Sequence, residues 1–224
     1  MIVDFFIELK KLGFVKTKQE FYGVDLTVFE EILCVFLFQN TKWDNVLKSI
    51  RNIQTSDISE KNILDCDLAT LIKPSGFYNT KAKRIKDFFK VVFNTYPNDD
   101  KAKSLNCFLE NISRDFLLDI KGVSEHCADS ILCFIKHEDI LVVDGNFKLI
   151  AKYLGYEFDT YDELKDIFQS AIFSDLEKLF EVYQAASINE LLTMIYFACF
   201  EFCKVGYKNK EFTTISKEIL DKAL

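Results

Sequence analysis

The sequence predicts an all-α fold, and three observations carry that expectation. Only 7 Gly and 2 Pro occur among 224 residues, few for a β-rich or loop-rich chain of this size. Hydrophobic residues make up 49% of the chain and include 23 Phe, enough to fill a sizeable core. Apolar residues recur at the spacing of one helix face along most of the chain. The length suits one large domain or two small lobes sharing an interface.

The elements follow in order. Residues 2–12 form a short amphipathic segment that ends at Gly13, a helix stop. Val28 to Phe38 is apolar almost throughout, with Glu30 and Glu31 in the first turn, where acids suit the helix dipole. A helix apolar on nearly all sides belongs in a core. Asp44 to Arg51 gives another helical period, and Asp67 to Ile72 a short one stopped by Pro74 and Gly76. Thr80 to Phe93 sets Lys81, Lys83, Arg84, Lys86 and Lys90 against an apolar side of Ala82, Ile85, Phe88, Phe89 and Val92. The basic side reads as a solvated helix face or as a phosphate-contacting patch. Residues 104–120 read as one helix or two, and 127–137 as a second apolar helix. An apolar run over 139–143 ends at Asp144. Residues 145–154, 161–172, 175–185 and 188–203 keep helical periodicity, and Lys204 to Lys210 is basic.

Charge and cysteines narrow the setting. The formal net charge is −7, whereas a strong nucleic-acid binder usually carries a positive surplus. Any DNA contact must then come from local patches. Seven cysteines stand at positions 34, 66, 107, 127, 133, 199 and 203. The count is odd, and Cys107, Cys127, Cys133 and Cys199 lie in or beside apolar runs, which predicts buried free thiols in a reducing compartment. Met1-Ile2-Val3-Asp4 has neither the basic start nor the following small-residue cleavage site of a signal peptide. No apolar run reaches the roughly 18 residues needed to cross a bilayer. These features predict a soluble cytoplasmic protein without a membrane partner.

The stretch Leu117-Leu118-Asp119-Ile120-Lys121-Gly122-Val123-Ser124-Glu125-His126-Cys127-Ala128-Asp129 joins two helical segments by a tight turn at Gly122. Such a turn can point N–H groups outward beside a helix N-terminus, an arrangement that suits a phosphate oxygen. Contact of this kind reads no base sequence. An ordinary αα-hairpin has the same outline.

The stretch resembles the hairpin of the endonuclease III superfamily of helix-hairpin-helix DNA glycosylases, Leu-Pro-Gly-Val-Gly followed by a helix with an early Ala. Ile120, Gly122, Val123 and Ala128 match; Lys121 stands for the proline and Ser124 for the second glycine. The resemblance implies that Lys121, Gly122 and Ser124 hold the DNA backbone. It also implies a catalytic aspartate 18 residues beyond a helix-borne hairpin position, which is His126 here, and the residue at that distance is Asp144. By itself Asp144 is equally a helix N-cap before Gly145-Asn146-Phe147. Superfamily members that also cut the strand carry a lysine at the place of His126, which attacks the sugar as a Schiff-base nucleophile. An imidazole cannot do so, which implies base removal alone.

Two further blocks extend the resemblance. The first runs from Phe29-Glu30-Glu31-Ile32-Leu33 through Gln39-Asn40-Thr41-Lys42-Trp43 and is similar to the helix and turn that relatives push toward DNA. There Gln39, with Asn40 beside it, would fill the gap left by a flipped nucleotide. The second, Pro74-Ser75-Gly76-Phe77-Tyr78-Asn79-Thr80-Lys81-Ala82, is similar to the loop near the opposite strand, where Phe77 or Tyr78 would wedge into the stack. Most superfamily members close with four cysteines around an iron–sulfur cluster; Cys199 and Cys203 alone cannot assemble one.

In detail these blocks, with Ala128-Asp129-Ser130-Ile131-Leu132-Cys133 and Glu201-Phe202-Cys203-Lys204, resemble the cluster-lacking bacterial 3-methyladenine DNA glycosylase class. That likeness implies a base pocket of Trp43, Phe21, Tyr22 and Lys204. An indole suits a cationic purine, although Trp43 also reads as a core residue. A modified lysine of that class, six residues before Lys204, is replaced by Ala198. The implied architecture is two-lobed with the active site between lobes. Residues 24–138 would form a six-helix lobe containing the hairpin, and 1–23 with 139–224 a second lobe without cluster, metal or cofactor. The implied function is a monofunctional, monomeric DNA glycosylase removing alkylated purines, above all 3-methyladenine, from double-stranded DNA in base excision repair. Action on another damaged or mismatched base, a non-catalytic DNA-binding hairpin protein and a helical scaffold are the alternatives.

Overall fold

The structure, a computed structural model, describes residues 1–222. Its helices in chain order are α1 (Ile2–Lys11), α2 (Lys18–Tyr22), α3 (Val28–Phe38), α4 (Trp43–Thr55), α5 (Leu68–Leu71), α6 (Tyr78–Thr95), α7 (Lys101–Asn111), α8 (Arg114–Asp119), α9 (Glu125–Ser130), α10 (Gly145–Tyr153), α11 (Tyr161–Ser174), α12 (Leu176–Tyr183), α13 (Ile188–Gly206) and α14 (Thr214–Asp221). The fold is all-α apart from a small antiparallel hairpin, β1 (Tyr207–Lys208) with β2 (Glu211–Phe212), paired Tyr207 to Phe212. Its two turn residues, Asn209 and Lys210, both have positive φ (53° and 68°), the backbone that a tight two-residue hairpin turn requires.

Local chemistry sets many boundaries. Thr17, Thr27 and Thr160 each cap a helix start, with Glu20, Glu30 and Glu163 reaching back to the capping residue's N–H. Each such cap stabilises its helix by about 1 kcal/mol. The apolar run read as α3 keeps its expected ends because Thr27 opens it and Gln39 leaves the helical region. Residues 104–120 resolve into α7 and α8, separated where Ile112 turns extended and Ser113 caps the next helix. The apolar stretch after α9 widens into a π turn over Ile131–Ile135.

The chain divides into two compact units, residues 26–136 and residues 1–25 with 137–224. In the 26–136 unit, Phe36, Phe88, Phe89 and Phe108 are fully buried and meet at ring distances of 5.3–5.6 Å. Counting the single-turn α5, this unit has seven α-helices among the described residues, where the resemblance implies six. In the other unit, α1 packs on α13, α11 and α12. Its core holds Phe5, Phe6, Phe147, Phe168 and Phe202, with Tyr183 buried and donating to the Phe6 carbonyl at 2.8 Å.

Two expectations need correction. Cys107 is exposed rather than buried, because it falls on the outer side of α7 while Leu105, Phe108 and Leu109 take the inner one. Lys81 is not on a solvated basic face: only 4% of it is exposed. Its place in the helix period explains this, since Lys81, Ile85, Phe88, Phe89 and Val92 recur at spacings of three and four along one side of α6.

Candidate active site

Within residues 1–25 and 137–224 the chemistry gathers at the start of α10. Asp144 follows the buried run Leu141-Val142-Val143 and is the N-cap of α10. One carboxylate oxygen accepts the N–H groups of Asn146 (2.8 Å) and Phe147 (3.3 Å). The other accepts the Asn146 side-chain amide at 2.9 Å and the Tyr196 hydroxyl at 3.5 Å. The carboxylate is half-buried, so it is anchored by four donors and still reachable. Burial, and next the charge of Asp144, push the Tyr196 phenol well above its usual range. Tyr196 therefore stays a neutral donor. The Cys199 and Cys203 thiols are pushed up chiefly by burial as well, and behave as apolar packing.

Helix α13 carries the remaining groups of this unit. Phe21, in α2, stacks on Phe197 at 4.2 Å and 18° and meets Phe200 edge-on at 5.2 Å. Tyr22 meets Phe197 edge-on at 6.2 Å. Lys204 stands four and seven residues beyond Phe200 and Phe197 and so shares their side of the helix. It is exposed and pairs with Glu201 at 3.2 Å. Ala198 is fully buried, and no side chain longer than a methyl occupies that place. Sequence reasoning missed Tyr196 and Asn146. Asn146 could have been found, because a residue two beyond an N-cap lies beside the capping side chain. Tyr196 carries no such local signal.

Within residues 26–136 the other predicted residues fall into two loops and the hairpin. The turn Gln39–Lys42 separates α3 from α4, and Asn40 takes a positive φ of 51° there. Trp43 opens α4, half-buried, with its ring edge-on to Phe38 at 5.7 Å. Phe77, the N-cap of α6, is 76% exposed and also left-handed, at φ 46°. A bulky residue held there costs free energy and shows its ring to solvent, which marks it for contact. Tyr78 begins the helix and is half-buried.

The hairpin joins α8 to α9. The Val123 N–H bonds the Ile120 carbonyl at 3.0 Å, and Ser124 caps α9 by accepting the Cys127 N–H at 3.3 Å. Gly122 has φ +97°, and a Cβ there would sit 2.9 Å from Cγ of Arg84. Among the described residues the N–H groups of Lys121, Gly122 and Ser124 have no acceptor. Arg114 Nε donates to the wholly buried Asp129 at 2.6 Å and ties the two helices together. Arg84 also donates to the side-chain amide oxygen Oε1 of Gln39 at 3.4 Å, while the side-chain NH2 of Gln39 donates to Cys127. The gap-filling candidate Gln39 thus rests on the hairpin. Lys81 is removed from the set of surface cations, and Lys83 is matched by Asp87.

A glycine hairpin in a helical fold, followed 18 residues beyond His126 by an aspartate capping the next helix, is the arrangement that the helix-hairpin-helix resemblance leads one to expect. The chain belongs to the HhH-GPD superfamily of base excision DNA repair proteins, whose family model matches residues 33–174. It is 37% identical over 185 residues to a protein of Methanocaldococcus jannaschii named as a DNA repair glycosylase; the match covers 80% of this chain and 79% of that one. Endonuclease III of Sulfolobus acidocaldarius is 26% identical over 163 residues, covering 68% and 69%. The crystal structure of H. pylori 3-methyladenine DNA glycosylase bound to 1,N6-ethenoadenine superposes with a TM-score of 0.80 at 31% identity, covering 92% of this chain and 99% of that one.

Proposed function

We propose that this DNA glycosylase is monofunctional and hydrolyses the N-glycosidic bond of alkylated purines, 3-methyladenine foremost, in double-stranded DNA. The observation that carries the reading is Asp144. A reachable carboxylate is anchored at the start of α10 by Asn146, Phe147 and Tyr196. The likeness to a 3-methyladenine glycosylase over nearly the whole chain supports the choice of base.

A 3-methylated adenine is cationic and held by a weakened bond, so it leaves with little acid assistance. The enzyme's main work is extruding the nucleotide, at a cost of about a few kcal/mol. Trp43 gives the extruded cation a broad π-face. Asp144 stabilises the developing oxocarbenium-like sugar, or takes a proton from the attacking water as its oxygen bonds to the sugar carbon and the base departs. Asn146 and Tyr196 orient the carboxylate. The exposed ring of Phe77 enters the stack as the wedge, and the open N–H groups of the hairpin turn receive a backbone phosphate. His126 supplies no amine for a Schiff base, so the strand stays uncut.

Alkylated duplex DNA incubated with the protein is expected to release free 3-methyladenine, read by chromatography, and borohydride is expected to trap no covalent protein–DNA adduct. Release of oxidised or mismatched bases in its place would overturn the substrate. A trapped adduct would overturn the monofunctional reading.

A further inference from the structure

We infer that Lys81 is a positioning residue: a buried ammonium that locks the Gln39–Lys42 turn and the Pro74–Phe77 loop into one rigid body. Its Nζ donates to the Leu37 carbonyl at 2.7 Å, the Thr41 hydroxyl at 2.6 Å and the Ser75 carbonyl at 2.8 Å. The three acceptors use all three of its protons. They belong to the end of α3, to the first turn and to the second loop. The Thr41 hydroxyl donates onward to the Ser75 carbonyl at 2.7 Å and approaches the Gln39 carbonyl at 3.1 Å, closing the link between the two loops. Ser49 and Ser75 meet hydroxyl to hydroxyl at 3.0 Å and fasten the second loop to α4.

Lys81 has no carboxylate partner among the described residues, and burial alone lowers its affinity for a proton. A buried, uncompensated cation is costly. Loop carbonyls aimed at one point repay that cost only while both loops hold their places. The two loops end in the residues that the proposed function sets against DNA, Gln39 and Phe77. The lock makes gap filling and wedging one event rather than two independent ones. This role in extrusion rests on the glycosylase reading; the lock itself does not.

The test is amide hydrogen exchange on the full-length free protein. Lys81→Met keeps the stem and removes the ammonium. It is expected to accelerate exchange in residues 39–43 and 74–78 together, by about tenfold, leaving α7 and α13 unchanged. Thr41→Val, a milder change at a half-buried site, is expected to accelerate the same two segments by about threefold. Acceleration in one loop only, in neither, or uniformly across the protein would overturn the lock, and Thr41→Val decides the matter if Lys81→Met fails to fold. The positional role is read separately, from affinity for abasic-site duplex DNA. Gln39→Ala and Phe77→Ala are expected to be non-additive in the wild-type background and additive beside Lys81→Met. Additivity in both backgrounds, or non-additivity in both, would overturn the joint action. A wild-type protein that binds abasic DNA but frees no alkylated base would instead break the glycosylase reading and leave the exchange result standing.

Discussion

Asp144 and Lys81 are the ionisable groups at the centre of the candidate active site and of the two linked loops, and they are held in opposite ways. Three of the four bonds to Asp144 come from residues two and three positions further on, at the start of its own helix. The bonds from Lys81 reach acceptors 44, 40 and 6 residues back, at the end of α3 and in two separate loops. Asp144 stays half-exposed and free to meet a reacting group; Lys81 is sealed in and acts only through what it holds. The difference teaches that a carboxylate at a helix start can be supported locally and stay reachable, whereas a group that joins loops must draw on distant chain. Gly122 lies between the extremes: its positive φ is a local demand, while the space its missing side chain leaves is taken by Arg84.

The comparison can be broken at each point. The largest effect is expected from Asp144→Asn. Asparagine still caps a helix, so folding should be nearly unchanged. Release of methylated adenine should fall by about 100-fold or more, with affinity for abasic-site DNA retained. Full activity in single-turnover assays would remove Asp144 from the chemistry. Gly122→Ala comes next. The added Cβ meets both an unfavourable φ and the Arg84 side chain, which should cost about 1–2 kcal/mol of stability. Binding to duplex DNA should weaken by about tenfold at fixed salt, while the rate at saturating enzyme stays near wild type. Loss of the rate with unchanged binding would mean that the hairpin serves the reacting sugar rather than the backbone.

A further effect concerns pH. Burial pushes the Lys81 ammonium down to about 8 from the ordinary lysine value of 10.5. Below 8 both folded and unfolded chains carry the proton, and the folded state bears the cost of burying it. Between about 8 and 10.5 the unfolded chain binds more protons, so this group makes unfolding free energy rise with pH. Denaturant titrations at pH 7 and pH 10 should show that rise in the wild type, relative to Lys81→Met. An equal pH response of the two proteins would show that Lys81 titrates at its ordinary value.

Much of this was open to reading in the linear chain, and for the same reason that separates Asp144 from Lys81. The start of α3 is decided by Thr27 and Glu30 within one turn, and the hairpin by Gly122 and Ser124 within five residues. The small β1–β2 turn was not legible, because two residues per strand are too few for any periodicity. The burial of Lys81 was half-legible: its spacing to Ile85 and Phe88 puts it on the apolar side of α6, but a lysine reads as polar until its acceptors are known. Tyr196 and Arg84 were silent, since nothing near either residue in the chain names its partner.

The sequence by itself therefore determined the helical fold, the helix starts, the glycine turn and the capping place of Asp144, because each depends on residues within a few positions of one another. Only the tertiary structure decided which lysine was spent on two loops, which aromatic stood exposed in a left-handed turn and which phenol faced Asp144. Those outcomes depend on segments brought together across 40 residues or more of chain, or on a backbone angle that the neighbouring loop imposes.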